Sequence, residues 1–212
     1  MYFLDLEMPC RKGFVNEHAI IQIGMVSSGN TLKYISNVNP GKKHMKISAY
    51  CTELTGIQKA DLEVSPDFPT IFLELKRYFN NKQQEIYVWG DADSRVLENV
   101  CNRYGLPLIK VVNYQQVLMN KFKLKFNPSL SNVCKILNIK TELEHHNALT
   151  DAKLLRAVYK KIGKNPEEAK YLFRAAEYQK RIQEINKMYR DIVTLEGEYK
   201  KELPKVQEVV VN

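Results

Sequence analysis

Hydrophobic and polar residues follow a pattern that predicts strands at the start of the chain. Segments rich in β-branched and aromatic residues, separated by turn-forming residues, are typical of strands. Four such segments are YFLDLE (2–7), AIIQIGMVSS (19–28), LKYISNV (32–38) and EIYVWG (85–90). The Gly29 and Asn30 pair predicts a hairpin turn between the second and the third. We therefore expect three successive strands, and a fourth after a helical region.

After Pro40 the apolar spacing changes to that of helices. Gly56 would end a first helix, and Ser65 would cap a second whose first turn holds Pro66. Further helices are expected at 91–105 with Asp91 as its cap, at 114–120, at 129–138 and at 147–162 before Gly163, and a short strand is expected at 108–112. Strands followed by alternating strands and helices predict an α/β fold with a mixed sheet flanked by helices.

The residues after 164 predict one long helix. NPEEAK (165–170) supplies a cap, a proline in the first turn and early glutamates. An apolar stripe then recurs every three or four residues, at Leu172, Ala175, Tyr178, Ile182, Ile185, Tyr189, Ile192 and Leu195. Such a stripe either packs on the main domain or forms a coiled-coil seam, over 165–200, with a partner protein or a second copy. We therefore divide the chain into a main domain, 1–164, and a C-terminal helical extension, 165–212.

The net charge of +8 lies entirely in the main domain. Residues 165–212 contain nine basic and nine acidic side chains, so residues 1–164 hold 23 basic against 15 acidic ones. A basic domain favours an anionic partner such as nucleic acid, although many basic proteins bind none. Four scattered cysteines without a CxxC pair argue against a zinc site or a disulfide framework. No apolar run is long enough for a membrane span and the chain opens without a signal-like segment, so we expect a cytoplasmic protein.

Asp5 and Glu7 lie two residues apart on the first predicted strand, so both carboxylates point to one face. Two acids on the core side of a buried strand would repel each other and lose hydration, so a cation should lie between them. The alternative is an edge strand whose acids face water.

Two further acids favour the cation site over the edge strand. Asp93 falls where an apolar strand ends and a helix begins, the usual place for a site in an α/β sheet, and Asp151 lies within another helix, five residues after His146. Hard divalent cations take oxygen ligands, and a pair about 4 Å apart needs several carboxylates to balance its charge. Three acidic segments in this order therefore predict a two-metal site.

Over residues 1–160 these positions resemble the DEDDh 3′–5′ exonucleases of the ribonuclease H-like fold. The first motif resembles Asp5 and Glu7, the second Trp89, Gly90 and Asp93, and the third His146, Ala148 and Asp151. LTGI (54–57), which begins with Leu54 and Thr55, resembles the loop of this family that covers the 3′-terminal nucleotide.

This resemblance implies a reaction and a role for each motif residue. The four acids would hold two Mg²⁺ or Mn²⁺ ions, one activating a water and the other stabilising the leaving 3′ oxygen. His146 would be the general base, because His145 lies one residue too early for the spacing of the family. The expected product is a nucleoside 5′-monophosphate, released from the 3′ end of a single strand.

The resemblance also implies a group of substrate-binding residues, with two departures from the family pattern. The expected contacts are Met8, Leu54, Thr55, Trp89 and Ala148. Met8 stands where the family often has threonine, so a hydroxyl contact to the sugar is lost. Gln22 stands where many relatives have glutamate, and we assign it no catalytic role.

The substrate class is narrowed by residues 50–68, which resemble the subgroup of enhanced-RNAi, histone-mRNA and KapD-type exonucleases and so favour RNA over DNA. Alternatives are a DNA exonuclease of proofreading or repair type, a catalytically silent nucleic-acid-binding scaffold, or an interaction protein built around the C-terminal helix.

Two basic segments are candidates for contact with a phosphate backbone. KFKLKF (121–126), as a strand, would have one cationic face, although edge strands also use lysines against aggregation. GKKHMK (41–46) is the better candidate. Tyr50 or Trp89 could stack on a base, although buried core aromatics are commoner.

Overall fold

The computed structural model describes residues 1–79, 84–140 and 146–210, with side chains described as far as residue 196. The strands are β1 Tyr2–Glu7, β2 Cys10–Arg11, β3 Phe14–Val15, β4 Gln22–Ser27, β5 Lys33–Asn37, β6 Ile86–Val88 and β7 Val112–Asn113. The helices are α1 Ala49–Thr55, α2 Lys59–Glu63, α3 Phe68–Phe79, α4 Ala92–Tyr104, α5 Tyr114–Phe122, α6 Leu130–Ile136, α7 Ala148–Lys164 and α8 Pro166–Val210, with a 3₁₀ turn at Lys42–His44.

Five strands form a mixed sheet in the order β5-β4-β1-β6-β7, and β2 pairs with β3 in a separate small hairpin. The pairs β1/β4 and β4/β5 are antiparallel, whereas β1/β6 and β6/β7 are parallel. The predicted α/β fold with a mixed sheet flanked by helices is confirmed. β1 is the central strand of this sheet.

The two faces of β1 have different neighbours. Leu4 and Leu6 belong to a hydrophobic core that includes side chains of α3 and α4. Phe3, on the opposite face, lies 5.3 Å from the ring of Tyr159 on α7 and 5.8 Å from that of Tyr87. Because side chains alternate along a strand, Asp5 and Glu7 share the face of Phe3 and α7.

Several local predictions were wrong. Helix α3 begins at Phe68, where Asp67 accepts from the Thr70 backbone at 3.0 Å, so Ser65 is not its cap. α7 continues through Gly163 to Lys164. The strand expected at 108–112 is reduced to β7, Val112–Asn113.

The KFKLKF segment is not a strand. Helix α5 extends to Phe122, because the buried side chains of Tyr114 and Leu118 lie four residues apart and give the segment a helical period. Lys123 then ends the helix in the left-handed conformation with φ 53°. The cationic strand face predicted for residues 121–126 is therefore absent.

The chain divides into two compact units, Met1–Pro166 and Glu167–Asn212. The boundary predicted after residue 164 stays a prediction. In the second unit, large apolar side chains are between 45% and 72% exposed, namely Tyr171, Tyr178, Ile182, Ile185, Met188, Tyr189, Ile192, Val193 and Leu195. None of the helices within the described ranges is long and apolar enough to cross a membrane.

Candidate active site

Asp5 and Glu7 lie on the central strand, and Glu7 is only 9% exposed. The alternative of an edge strand with its acids in water is therefore wrong. In the antiparallel pairing, Asp5 faces Gly24 and Glu7 faces Gln22 on β4. These two β4 residues determine what can approach the acids.

Gly24 allows the first turn of α7 to lie directly on the sheet. A Cβ atom at this position would lie 2.1 Å from the backbone carbon of Ala148 and 2.2 Å from the nitrogen of Leu149. No side chain fits in that space, so the glycine is required by close backbone approach. Asp151, one turn further along α7, is thereby held over the strand that carries Asp5.

Gln22 fixes the same helix end through hydrogen bonds. Its Oε1 accepts from the backbone N–H of Ala148 at 3.0 Å, and its Nε2 donates to Oδ1 of Asn37 at 2.9 Å. Asn147 caps α7 by accepting from the Thr150 N–H at 3.1 Å. Sequence reasoning assigned Gln22 no role; a polar residue at a buried strand position was the signal that could have indicated one.

Asp93 reaches the site through a turn after β6. Gly90 adopts φ 84°, and its N–H donates to Oδ1 of Asn113 at 3.2 Å, which also accepts from the Gln116 N–H. Asp91 holds the cap position of α4, but its carboxylate accepts from Nδ2 of Asn113 at 2.6 Å instead of capping. The predicted Asp91 cap is therefore wrong. Asp93, in the first turn of α4, is 4% exposed.

His146 lies at the solvent-facing side of this group. Its side chain is 61% exposed, and Nδ1 lies 3.6 Å from Oδ2 of Asp151. One potential donor atom each from Glu7, His146 and Asp151 lie within 4.8 Å of one another. The backbone N–H of His146 donates to the carbonyl of Leu54 at 2.9 Å, which ties this residue to the end of α1. His145, the rejected candidate, lies outside the described residues.

The pKa values of the acids show that they act on one another. Burial is the largest cause for Asp5, Glu7 and Asp93, and it raises the pKa of Asp5 well above its usual value, with Asp93, Asp151 and Glu7 adding to the rise. The pKa of Glu7 rises to about 7, with Asp151 as second cause and His146 opposing, and that of Asp93 to about 8. Neighbouring desolvated carboxylates can all be ionised at once only when a cation lies between them.

The donor set fits hard divalent cations. Four carboxylates, Asp5, Glu7, Asp93 and Asp151, offer oxygen ligands, and His146 offers one imidazole at the margin. No thiol joins the group of donor atoms found among the described residues. The arrangement can therefore hold a hard divalent cation.

The five predicted substrate-binding residues differ in their burial. Ala148 is fully buried, and Thr55 is buried with its hydroxyl donating to the Cys51 carbonyl at 2.8 Å. Met8 and Leu54 are half-buried. Trp89 is half-buried too, and its indole Nε1 is a buried donor that has no acceptor among the described atoms. Their contacts with substrate stay predictions.

Comparison with known proteins decides the family. The model of the exonuclease family (RNase_T) matches residues 2–159, three quarters of the chain. The chain belongs to the exonuclease family. The resemblance predicted from the sequence is confirmed, and the protein is of the nuclease class. A comparison with curated protein sequences found no match.

Solved structures with the same fold include several nucleases. The nuclease domain of 3′hExo, a DEDDh family member bound to rAMP, is 19% identical with a TM-score of 0.65, covering 77% of this exonuclease-family chain and 91% of its own. A 3′-exonuclease recognising a histone mRNA stem-loop is 17% identical (TM-score 0.65; 77% and 81% covered). Exonuclease X in complex with 5′ overhanging duplex DNA is 16% identical (TM-score 0.58; 81% and 98% covered).

Proposed function

We propose that this protein is a metal-dependent 3′–5′ exonuclease that hydrolyses phosphodiester bonds at the 3′ end of single-stranded nucleic acid, RNA in preference to DNA. The observation that carries the proposal is the convergence of four carboxylates, from β1, α4 and α7, beside one exposed imidazole. Neither a binding scaffold nor an interaction protein needs four mutually repelling acids, of which Glu7 and Asp93 are buried.

The carboxylates would hold two divalent cations, Mg²⁺ or Mn²⁺. Asp5, Glu7, Asp93 and Asp151 are the proposed ligands. When bound, the cations would neutralise charge on the phosphodiester and lower the pKa of the attacking water. The side chains themselves repel the phosphate of the substrate when no cation is present, so the protein alone would bind a 3′ end poorly.

His146 is the proposed general base. Since its Nδ1 lies on the side of Asp151, Nε2 is the nitrogen available to take the proton of the attacking water. Asp151 is the largest cause of a raised pKa for His146, so this carboxylate stabilises the imidazolium that forms. The hydrogen bond from the His146 N–H to Leu54 holds the base beside the segment proposed to cover the terminal nucleotide.

RNA is the proposed substrate because residues 50–68 resemble an RNA-directed subgroup and two of the similar structures contain rAMP or recognise a histone mRNA. DNA is the second candidate, since exonuclease X binds a DNA duplex with an overhang. The proposed 3′–5′ direction is supported by the three motifs that hold the acids and His146.

The test is digestion of matched 5′-labelled single-stranded RNA and DNA with Mg²⁺, with Mn²⁺ and with chelator. We expect a metal-dependent ladder that shortens from the 3′ end, faster on RNA, and absent in Asp5→Asn. The exposed aspartate of α8 supplies the matched control, Asp191→Asn. Full activity of Asp5→Asn would contradict the two-metal site, and equal or faster digestion of DNA would contradict the RNA preference.

We further propose that α8 pairs with α8 of a second copy in a parallel coiled coil. Six residues of its apolar stripe follow a spacing of alternately three and four residues, at Ala175, Tyr178, Ile182, Ile185, Tyr189 and Ile192. In a parallel pair the flanking Arg174 and Arg181 would face the uncharged Gln179 and Asn186 of the other copy, so no like charges meet. The alternative is that α8 pairs with a helix of another protein whose acidic residues face Arg174 and Arg181.

A further inference from the structure

A cleft of about 330 Å³ lies beside the end of β1, outside the group of acids. We call it the hairpin cleft, because the β2–β3 hairpin forms one wall and the segment before α1 forms the other. The residues that matter for its chemistry are Cys10, Arg11, Phe14, Lys46 and Ser48. Neither the motifs nor the proposed reaction uses this cleft.

Its lining combines an exposed ring with two cations. Phe14 is 53% exposed although it is a large hydrophobic residue, and the guanidinium of Arg11 lies 5.2 Å from the centre of its ring. Lys46, on the opposite wall, is also exposed. Among the described residues, no acidic side chain lines the cleft. An aromatic ring with adjacent cations is the combination that binds a base together with its phosphate.

The hairpin cleft is close to the acids along the chain and in space. Cys10 follows Glu7 by three residues, so their Cα atoms are at most about 11 Å apart. That distance corresponds to roughly three stacked nucleotides at about 3.4 Å each. The thiol of Cys10 has its pKa raised to about 12, mainly by burial and Cys51, and the Glu7 carboxylate contributes too, so the two groups are within electrostatic reach.

The second wall of the cleft continues into α1, the helix that reaches the base. The Ser48 hydroxyl donates to the carbonyl of Cys10 at 2.6 Å and accepts from the Cys51 N–H at 3.0 Å as the cap of α1. Seven residues later, α1 ends beside Leu54, whose carbonyl holds His146. The cleft and the catalytic group are therefore connected by one short helix.

We propose that the hairpin cleft binds a nucleotide upstream of the 3′ terminus of the same strand. Its base would stack on Phe14, and its phosphate would lie between Arg11 and Lys46. The volume of the cleft suits one nucleotide-sized ligand. This inference rests on the proposed exonuclease function and adds a length requirement: a long strand occupies the hairpin cleft, and a dinucleotide does not.

The first test compares KM and kcat of Phe14→Ala on a dinucleotide and on a long single-stranded oligonucleotide. Loss of one stacking contact should raise KM for the long strand by about 5- to 150-fold, with kcat and all dinucleotide kinetics unchanged. Phe14→Tyr keeps the ring and should restore KM. Val15→Ala, on the same hairpin and 46% exposed but not lining the cleft, is the matched control.

A second test separates this inference from the proposed function. Binding of a fluorescent single strand is measured by anisotropy in chelator, where no turnover can occur, for wild type and for the Phe14→Ala, Arg11→Gln and Lys46→Gln variants. Each substitution should weaken binding, and the loss of Arg11 or Lys46 should also reduce the dependence of binding on salt.

The outcomes are distinct. If Phe14→Ala leaves both Kd and KM unchanged, the cleft is not a nucleotide site. The same holds if KM rises equally on the dinucleotide. Either result would favour a peptide as the occupant of the cleft. If wild type cleaves nothing, the proposed function fails, and weaker anisotropy binding by Phe14→Ala would still support the cleft. The melting temperature of each variant tests whether its fold is intact.

Discussion

Replacing Glu7 by glutamine should stabilise the metal-free protein at alkaline pH. Glu7 is 9% exposed, and its pKa is raised from 4.5 to about 7 by burial and then by Asp151, with His146 opposing. Glutamine keeps the shape of the side chain and has no charge to desolvate. The substitution therefore removes an unfavourable ionisation from the folded state while it also removes a proposed metal ligand.

The expected size follows from the difference between the folded and unfolded pKa. A rise from 4.5 to about 7 corresponds to about 3 kcal/mol at about 1.4 kcal/mol for each pKa unit. Because the folded-state pKa of Glu7 is raised, its contribution to stability is fully present below pH 4.5 and is lost as the pH rises through 7. The variant should therefore exceed wild type by about 3 kcal/mol at pH 8 and by about 1 kcal/mol at pH 5.

The assay is urea or thermal unfolding in chelator at both pH values. For a chain of this size, about 3 kcal/mol corresponds to a melting temperature roughly 6–12 °C higher. Glu98→Gln, an exposed glutamate of α4, should show no comparable gain. Added Mg²⁺ should raise the melting temperature of wild type more than that of Glu7→Gln. A gain of equal size at pH 5 and pH 8, or a loss at pH 8, would refute the reasoning.

The remaining predictions concern the base, the helix support and the seam. His146→Ala should lower kcat by about 10²- to 10⁴-fold and abolish the rise of kcat with pH, as followed by a pH–rate profile; an unchanged profile would contradict the role of base. Gln22→Leu leaves the buried N–H of Ala148 without an acceptor, so it should reduce the free energy of unfolding by about 1–3 kcal/mol and lower kcat. Unfolding at the same urea concentration as wild type would contradict this role of Gln22. Ile185→Lys should convert a dimer into a monomer in light scattering, whereas Lys187→Gln on the outer face should not, and a monomeric wild type would exclude the second copy as partner.

The acids of the candidate site were predictable because local chemistry specifies each of them. Asp5 and Glu7 share a strand face through the two-residue period, and Asp93 comes shortly after an apolar strand and the turn at Gly90. Asp151 comes one turn after a helix start with Asn147 as cap. Each prediction used only neighbours within a few residues.

Other features depend on distant parts of the chain and left little local signal. Gly24 and Gln22 matter because of their register against β1 and their contact with α7, more than 120 residues later. Asp91 was expected to cap α4, but its carboxylate accepts a hydrogen bond from Asn113 on the neighbouring strand β7. The β2–β3 hairpin has only two residues in each strand, which is too short for a strand pattern to detect.

The contact at Gly24 joins backbone to backbone, and main-chain atoms have no rotamers to exchange. The spacing between the strand of Asp5 and the helix of Asp151 is therefore set by covalent geometry and hard-sphere contact. In most binding sites, by contrast, the geometry depends on side chains that move between rotamers. A cation that tolerates little variation in ligand distance would therefore bind between carboxylates whose backbones are already at a fixed separation. The absence of a side chain at Gly24 therefore fixes the separation of the two elements that carry Asp5 and Asp151.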